Sequence, residues 1–110
     1  MDNEFSFELE REGAVAEVRV YGDFDMVGVL KLETELSTLA HDADIQHLLV
    51  DLSGLQFIDS TALGLIIELD QRARRGEFEL SLVPGPRQVQ RVFEVTQLAD
   101  TLPFRSPPEA

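Results

Sequence analysis

Apolar and polar residues alternate without a break in "FSFELE". Phe5, Phe7 and Leu9 fall on one side and Ser6, Glu8 and Glu10 on the other, the period of a half-buried strand. "AEVRVY" repeats the pattern, with Ala16, Val18 and Val20 opposed to Glu17, Arg19 and Tyr21. The polar Glu12 and Gly13 between the two runs predict a turn, and so an antiparallel hairpin. After "GDFD" the period changes. Val29, Leu32, Leu36, Leu39 and Ala40 recur at helical spacing, which predicts an amphipathic helix over 26–40, capped by Asp25 and ended by "HDAD". "IQHLLVDL" is a short apolar run between polar clusters, as expected of a central buried strand, and "SGLQFI" reads as a turn into a helix starting near Ser60. That helix closes at Arg72, Arg74 and Arg75, whose charges suit its negative end, with Gly76 as the left-handed cap. "EFELSLV" alternates again, "PGP" breaks the chain, and Pro86 opens a third helix carrying Val89, Val92 and Phe93. "DTLPF" reads as a short terminal strand.

The order β-β-α-β-α-β-α, with that last short strand, predicts an α/β fold. Strands separated by helices pair in parallel, the opening hairpin adds an antiparallel pair, and the result is a single mixed sheet of four to five strands with helices mainly on one face. The 110 residues are expected to form one domain, ordered over about 5–105, with 106–110 frayed.

Charge changes the picture. Nine basic residues against 21 acidic ones leave −12, which opposes direct contact with nucleic acid and with anionic lipid. Acidity of this degree serves solubility or suits a protein partner with a basic docking face. No apolar run approaches the roughly 20 residues of a membrane span, so no membrane insertion is expected. "MDNEFSFELE" lacks the layout of a secretory signal and there is no cysteine, so the expected location is cytoplasmic.

The residues capable of chemistry are few. His41 and His47, with Asp42 and Asp44 between them, match no usual zinc spacing, and no phosphate-cradling loop is present. Ser60 lies in "IDSTA" rather than a nucleophile elbow, and Asp59 alone is a poor base at neutral pH. The expectation is a protein that is not an enzyme and uses no metal or cofactor. Two readings of Asp59, Ser60 and Thr61 stand side by side: a helix cap, and an acceptor site for a phosphoryl group. Ala62, Leu63, Leu65, Ile66 and Ile67 then point around most of the helix circumference, with Gly64 as a flat spot and no polar residue before Glu68. A domain this small is expected to leave part of such a helix as an apolar patch for a partner.

"LLVDLSGLQFIDSTALGLIIEL", with "VYGDFD" upstream and "VFEVTQLADTLPF" downstream, resembles the STAS-domain anti-sigma factor antagonists of bacteria over nearly the whole chain. The resemblance implies a switch. The unmodified protein binds an anti-sigma factor that is also a serine kinase, the sigma factor is released, and phosphorylation of the antagonist dissolves the complex until a PP2C-type phosphatase resets it. Carried over, the acceptor is Ser60, with Asp25 and Asp59 as neighbouring carboxylates. Thr61, Ala62, Leu63, Gly64 and Ile67 belong to the docking helix. Two positions depart from the family pattern, Ala62 and Gln97, where glycine is usual. The Ala62 methyl is expected to crowd an approaching kinase loop or phosphate. Other STAS domains serve as accessory subunits of membrane transport systems or as components of large stress-sensing assemblies, and these remain alternatives.

Overall fold

The computed structural model describes residues 3–105; the predicted fraying of 106–110 lies outside them. Two strands, β1 (Ser6–Glu12) and β2 (Val15–Phe24), form the hairpin, turning through Gly13 at φ 60°. There follow α1 (Met26–His41), β3 (His47–Ile58), α2 (Ser60–Arg74), β4 (Glu79–Val83) and α3 (Arg87–Val95). The sheet order is β1-β2-β3-β4, antiparallel in its first pair and parallel in the next two. "DTLPF" supplies one parallel bridge, Phe104 beside Leu82, at the far edge of β4.

The alternation seen in the sequence decides which face is covered. Ala16, Val18 and Val20 of β2, Leu48, Val50 and Leu52 of β3, and Leu80 and Leu82 of β4 point into one core. All three helices feed that core, through Leu32 and Leu36, Leu63 and Ile66, and Val89 and Phe93. Each such side chain contributes about 1.5–3 kcal/mol by leaving water. The other face stays open, so β3 is not buried on both sides as its apolar run suggests: Leu49 and Asp51 are half-buried there. The same face holds Arg19 between Glu8, Glu10 and Glu17, at 3.3, 2.6 and 2.7 Å. Bonds from the Tyr21 hydroxyl and from Arg19 hold the Glu8 carboxyl below its ordinary range.

The reading of "SGLQFI" as a turn is corrected: β3 runs on through it to Ile58. The polar Ser53 and Gly54 mark not an end but a shift of register against β2. Gly54 is required there because a Cβ would collide with the Tyr21 ring.

Helices α2 and α3 end in the same hydrogen-bond pattern. After α2, Gly76 N–H donates to Ala73 and Glu77 N–H to Arg72; after α3, Gln97 N–H donates to Glu94 and Leu98 N–H to Phe93. Both are Schellman closures, which require a left-handed residue just past the cap. Gly76 meets that at φ 88° without strain, whereas Gln97 adopts φ 65° against its own Cβ. Gln97→Gly is therefore expected to raise the unfolding free energy by about 0.5–1 kcal/mol in urea titration, and an unmoved midpoint would show that the turn carries no strain.

Candidate functional site

Strands β2 and β3 are parallel neighbours, so both deliver the chain to the same end of the sheet, and each passes at once into a helix. A bond from Asp59 N–H to the Phe24 carbonyl, 3.0 Å long, ties the two junctions together. The junctions are built alike. Asp25 accepts from Gly28 N–H at 3.1 Å and Asp59 accepts from Ala62 N–H at 3.0 Å. Each aspartate is extended at φ −122° or −108°, and its own carbonyl receives the first helical bond, from Val29 or Leu63. The capping reading of Asp25 and Asp59 thus holds in the structure.

The matching cap positions align the residues that follow. The first, second and fifth positions of α1 are Met26, Val27 and Leu30; those of α2 are Ser60, Thr61 and Gly64. All six are exposed. The third and fourth positions, Gly28 and Val29 in α1, Ala62 and Leu63 in α2, are buried. One helix start therefore shows hydrocarbon to solvent and its neighbour shows hydroxyls. The Ser60 and Thr61 N–H groups precede the helical ladder and donate to no other group among the described residues. Asp25 and Asp59 cap the two starts, and residues 20–30 and 53–64 contain no basic side chain, the exposed Lys31 following directly on Leu30.

This corrects the expected position of the apolar patch. Ala62 is 0% exposed and Leu63 8%, so both side chains belong to the core and neither is available to a partner. Leu65 and Ile67 are half-buried against that core. The reason is lateral cover: Leu36, Glu33 and Ser37 of α1 line a narrow groove with Leu65, Leu69 and Arg72 of α2, while the sheet closes the helix from below. Ala62 also points its methyl inward, so it does not crowd an approach to Ser60. Beside Ser60 the exposed hydrocarbon instead lies at the start of α1, with Met26 59%, Val27 53% and Leu30 67% exposed; Phe57 near the end of β3 and Val95 at the end of α3 are exposed as well. Its signal was in the sequence: "MVGVL" carries more apolar residues than the buried helical face can use.

His41 and His47 lie at the opposite end of the sheet, at the close of α1 and the start of β3. His41 Nδ1 is 2.8 Å from the Ser37 carbonyl, and His47 Nε2 is 2.9 Å from Ser81 Oγ. Neither histidine can serve Ser60 as a base. No helix among the described residues is long and apolar enough to cross a membrane.

A family model described as "Mlab, STAS domain" matches residues 7–103. The anti-sigma-B factor antagonist of Staphylococcus aureus is 30% identical over 86 residues, which cover 78% of this chain and 79% of that protein. The unphosphorylated anti-sigma factor antagonist SpoIIAA superposes with a TM-score of 0.77 at 20% identity, over 92% of this chain and 89% of that one. An anti-sigma factor antagonist from Mycobacterium paratuberculosis does so with 0.78 at 24% identity, over 96% and 88%. The phosphorylated form of the Bacillus SpoIIAA gives 0.71 at 20% identity, over 92% of each chain. These superpositions speak for the fold.

Caps and acceptor separate experimentally. Asp59→Ala and Asp25→Ala are each expected to cost about 1 kcal/mol of stability, whereas Ser60→Ala, which removes an exposed hydroxyl, stays within about 0.5 kcal/mol. Chemical denaturation of the three variants measures both, and a large loss for Ser60→Ala would make that side chain structural.

Proposed function

Because the chain belongs to the STAS-domain family of anti-sigma factor antagonists, we propose that it binds an anti-sigma factor with serine kinase activity and is switched off by phosphorylation of Ser60. Binding frees the sigma factor, so the protein regulates transcription without touching DNA. A PP2C-type phosphatase restores the unmodified form, and the cycle runs in the cytoplasm. The observation that carries this reading is the exposed Ser60 hydroxyl at the first position of α2, beside the exposed hydrocarbon at the start of α1.

The physics of the switch follows from those neighbours. Met26, Val27 and Leu30 supply contact area, Gly64 lets a partner approach the α2 backbone closely, and Asp23, Asp25 and Asp59 favour a partner with a basic rim. A phosphoryl group on Ser60 adds about −1.5 to −2 charges at neutral pH. The free N–H groups of Ser60 and Thr61 and the positive helix end favour that charge by about 0.3–1 kcal/mol, so the fold persists. The docked complex does not, because burying the dianion beside an apolar contact strips its water.

Incubation with the partner kinase and ATP is expected to place a single phosphate on Ser60 by mass spectrometry; modification elsewhere, or none, removes the switch. Ser60→Asp is expected to weaken the complex by about tenfold or more with unfolding unchanged. Met26→Ala with Leu30→Ala is expected to lower affinity through faster dissociation while leaving stability within about 0.5 kcal/mol. Leu63→Ala should instead destabilise the domain by about 2–5 kcal/mol. Equal affinity of the Met26/Leu30 variant and the parent, measured by calorimetry, would move the docking face off α1.

A further inference from the structure

The two edges of the sheet are finished differently. At β4 the returning chain covers the edge: Leu82 N–H donates to the Pro103 carbonyl at 3.0 Å, and Arg105 N–H donates to the Leu82 carbonyl at 2.8 Å. At β1 nothing among the described residues pairs with the outer side of Ser6–Glu12. That edge is guarded by charge alone, with Arg11 beside Asp42 on the helix side and glutamates on the open side. Its register against β2 is continuous from Ser6 to Glu12, without bulge or proline, although free strand edges of this length are normally broken up. Its two faces differ sharply. On the open side Glu8, Glu10 and Glu12 stand in a row, and with Glu17 they outnumber the single Arg19 four to one. On the helix side Phe7 and Leu9 form a ledge at the margin of the core, with Leu9 38% exposed. Near the hairpin a shallow depression is lined by Glu10, Glu12, Glu17 and Val15, whose side chain is 46% exposed.

We propose that the outer edge of β1 docks an extended segment of a partner protein in which lysine or arginine alternates with aliphatic residues. Such a segment adds a fifth strand. Its backbone satisfies the free N–H and C=O groups of β1, its aliphatic residues extend the Phe7–Leu9 ledge, and its cations face the glutamate row. A second copy of this chain does not fit: antiparallel pairing of β1 with another β1 sets glutamate rows against each other, which is unfavourable. The glutamates thus close the edge to self-association while leaving it open to a basic strand. The surface lies on the edge strand, not on the α1–α2 starts, and its occupancy does not depend on the state of Ser60.

The test titrates the isotope-labelled full chain with a capped Lys-Val-Lys-Val-Lys-Val-Lys peptide, alongside a Lys-Pro-Lys-Pro-Lys-Pro-Lys control of equal charge that cannot form a strand. The expected result is amide shifts and slowed exchange confined to residues 6–12 and their β2 neighbours, with the proline control bound about tenfold more weakly. Glu10→Lys with Glu12→Lys should weaken binding by about tenfold while circular dichroism stays unchanged, since Arg19 keeps Glu8 and Glu17. Glu12→Lys alone, which breaks no ion pair, serves as a second variant. Ser60→Asp should bind as the parent does. Equal binding of both peptides, shifts centred on α1 and α2, or protection of β1 through self-association without peptide would each overturn the proposal.

Discussion

Parallel pairing of β2 with β3 is the constraint on which the site depends. Neighbouring parallel strands release their chains at one end of the sheet, and here both chains turn directly into helices. The Asp59–Phe24 backbone bond extends the pairing up to the turn itself. Two aspartates then cap two helices in the same geometry, so equivalent positions of α1 and α2 meet solvent side by side. One start exposes the hydrocarbon of Met26, Val27 and Leu30, and the other the hydroxyls of Ser60 and Thr61. The proposed switch rests on that adjacency.

Packing around the third helical position keeps that geometry in place. Gly28 leaves no room for a side chain, because a Cβ would lie 2.8 Å from the Phe5 ring, which itself stacks on Phe24 at 4.8 Å between centroids. Ala62 takes the matching position in α2 with a methyl that the core fully covers. Where the family pattern has glycine, the alanine gains helix propensity without altering the outer surface. At Gln97 the opposite holds, because that position needs backbone freedom rather than space. The same replacement of glycine is thus cheap at one site and strained at the other.

Much of the architecture was legible in the chain. Period-2 alternation placed β1, β2 and β4, helical spacing placed α1 and α3, and Asp25, Asp59 and Gly76 marked helix ends, because these signals arise from local backbone geometry and hydrogen bonding. Ser53 and Gly54 misled for the same reason: polar and small residues mean a turn locally, and only the neighbouring Tyr21 ring explains a glycine inside a strand. The exposed apolar patch was misplaced by similar logic. Counting apolar residues on α2 could not show that α1 lies along its flank, and so could not show that Leu63 is core while Leu30 is surface.

By itself the sequence determined the element order, the caps, the polar start of α2 with Ser60 in it, and a net acidic charge that opposes contact with nucleic acid. These follow from residues interacting with their near neighbours in the chain, or from a simple sum of charges. The tertiary structure alone decided which hydrocarbon remains outside, that the two helix starts are adjacent, that both histidines are remote from Ser60, and that among the described residues one sheet edge is covered while the other is open. Those outcomes depend on which segments pack together across long separations, and burial is a property of the neighbour as much as of the residue.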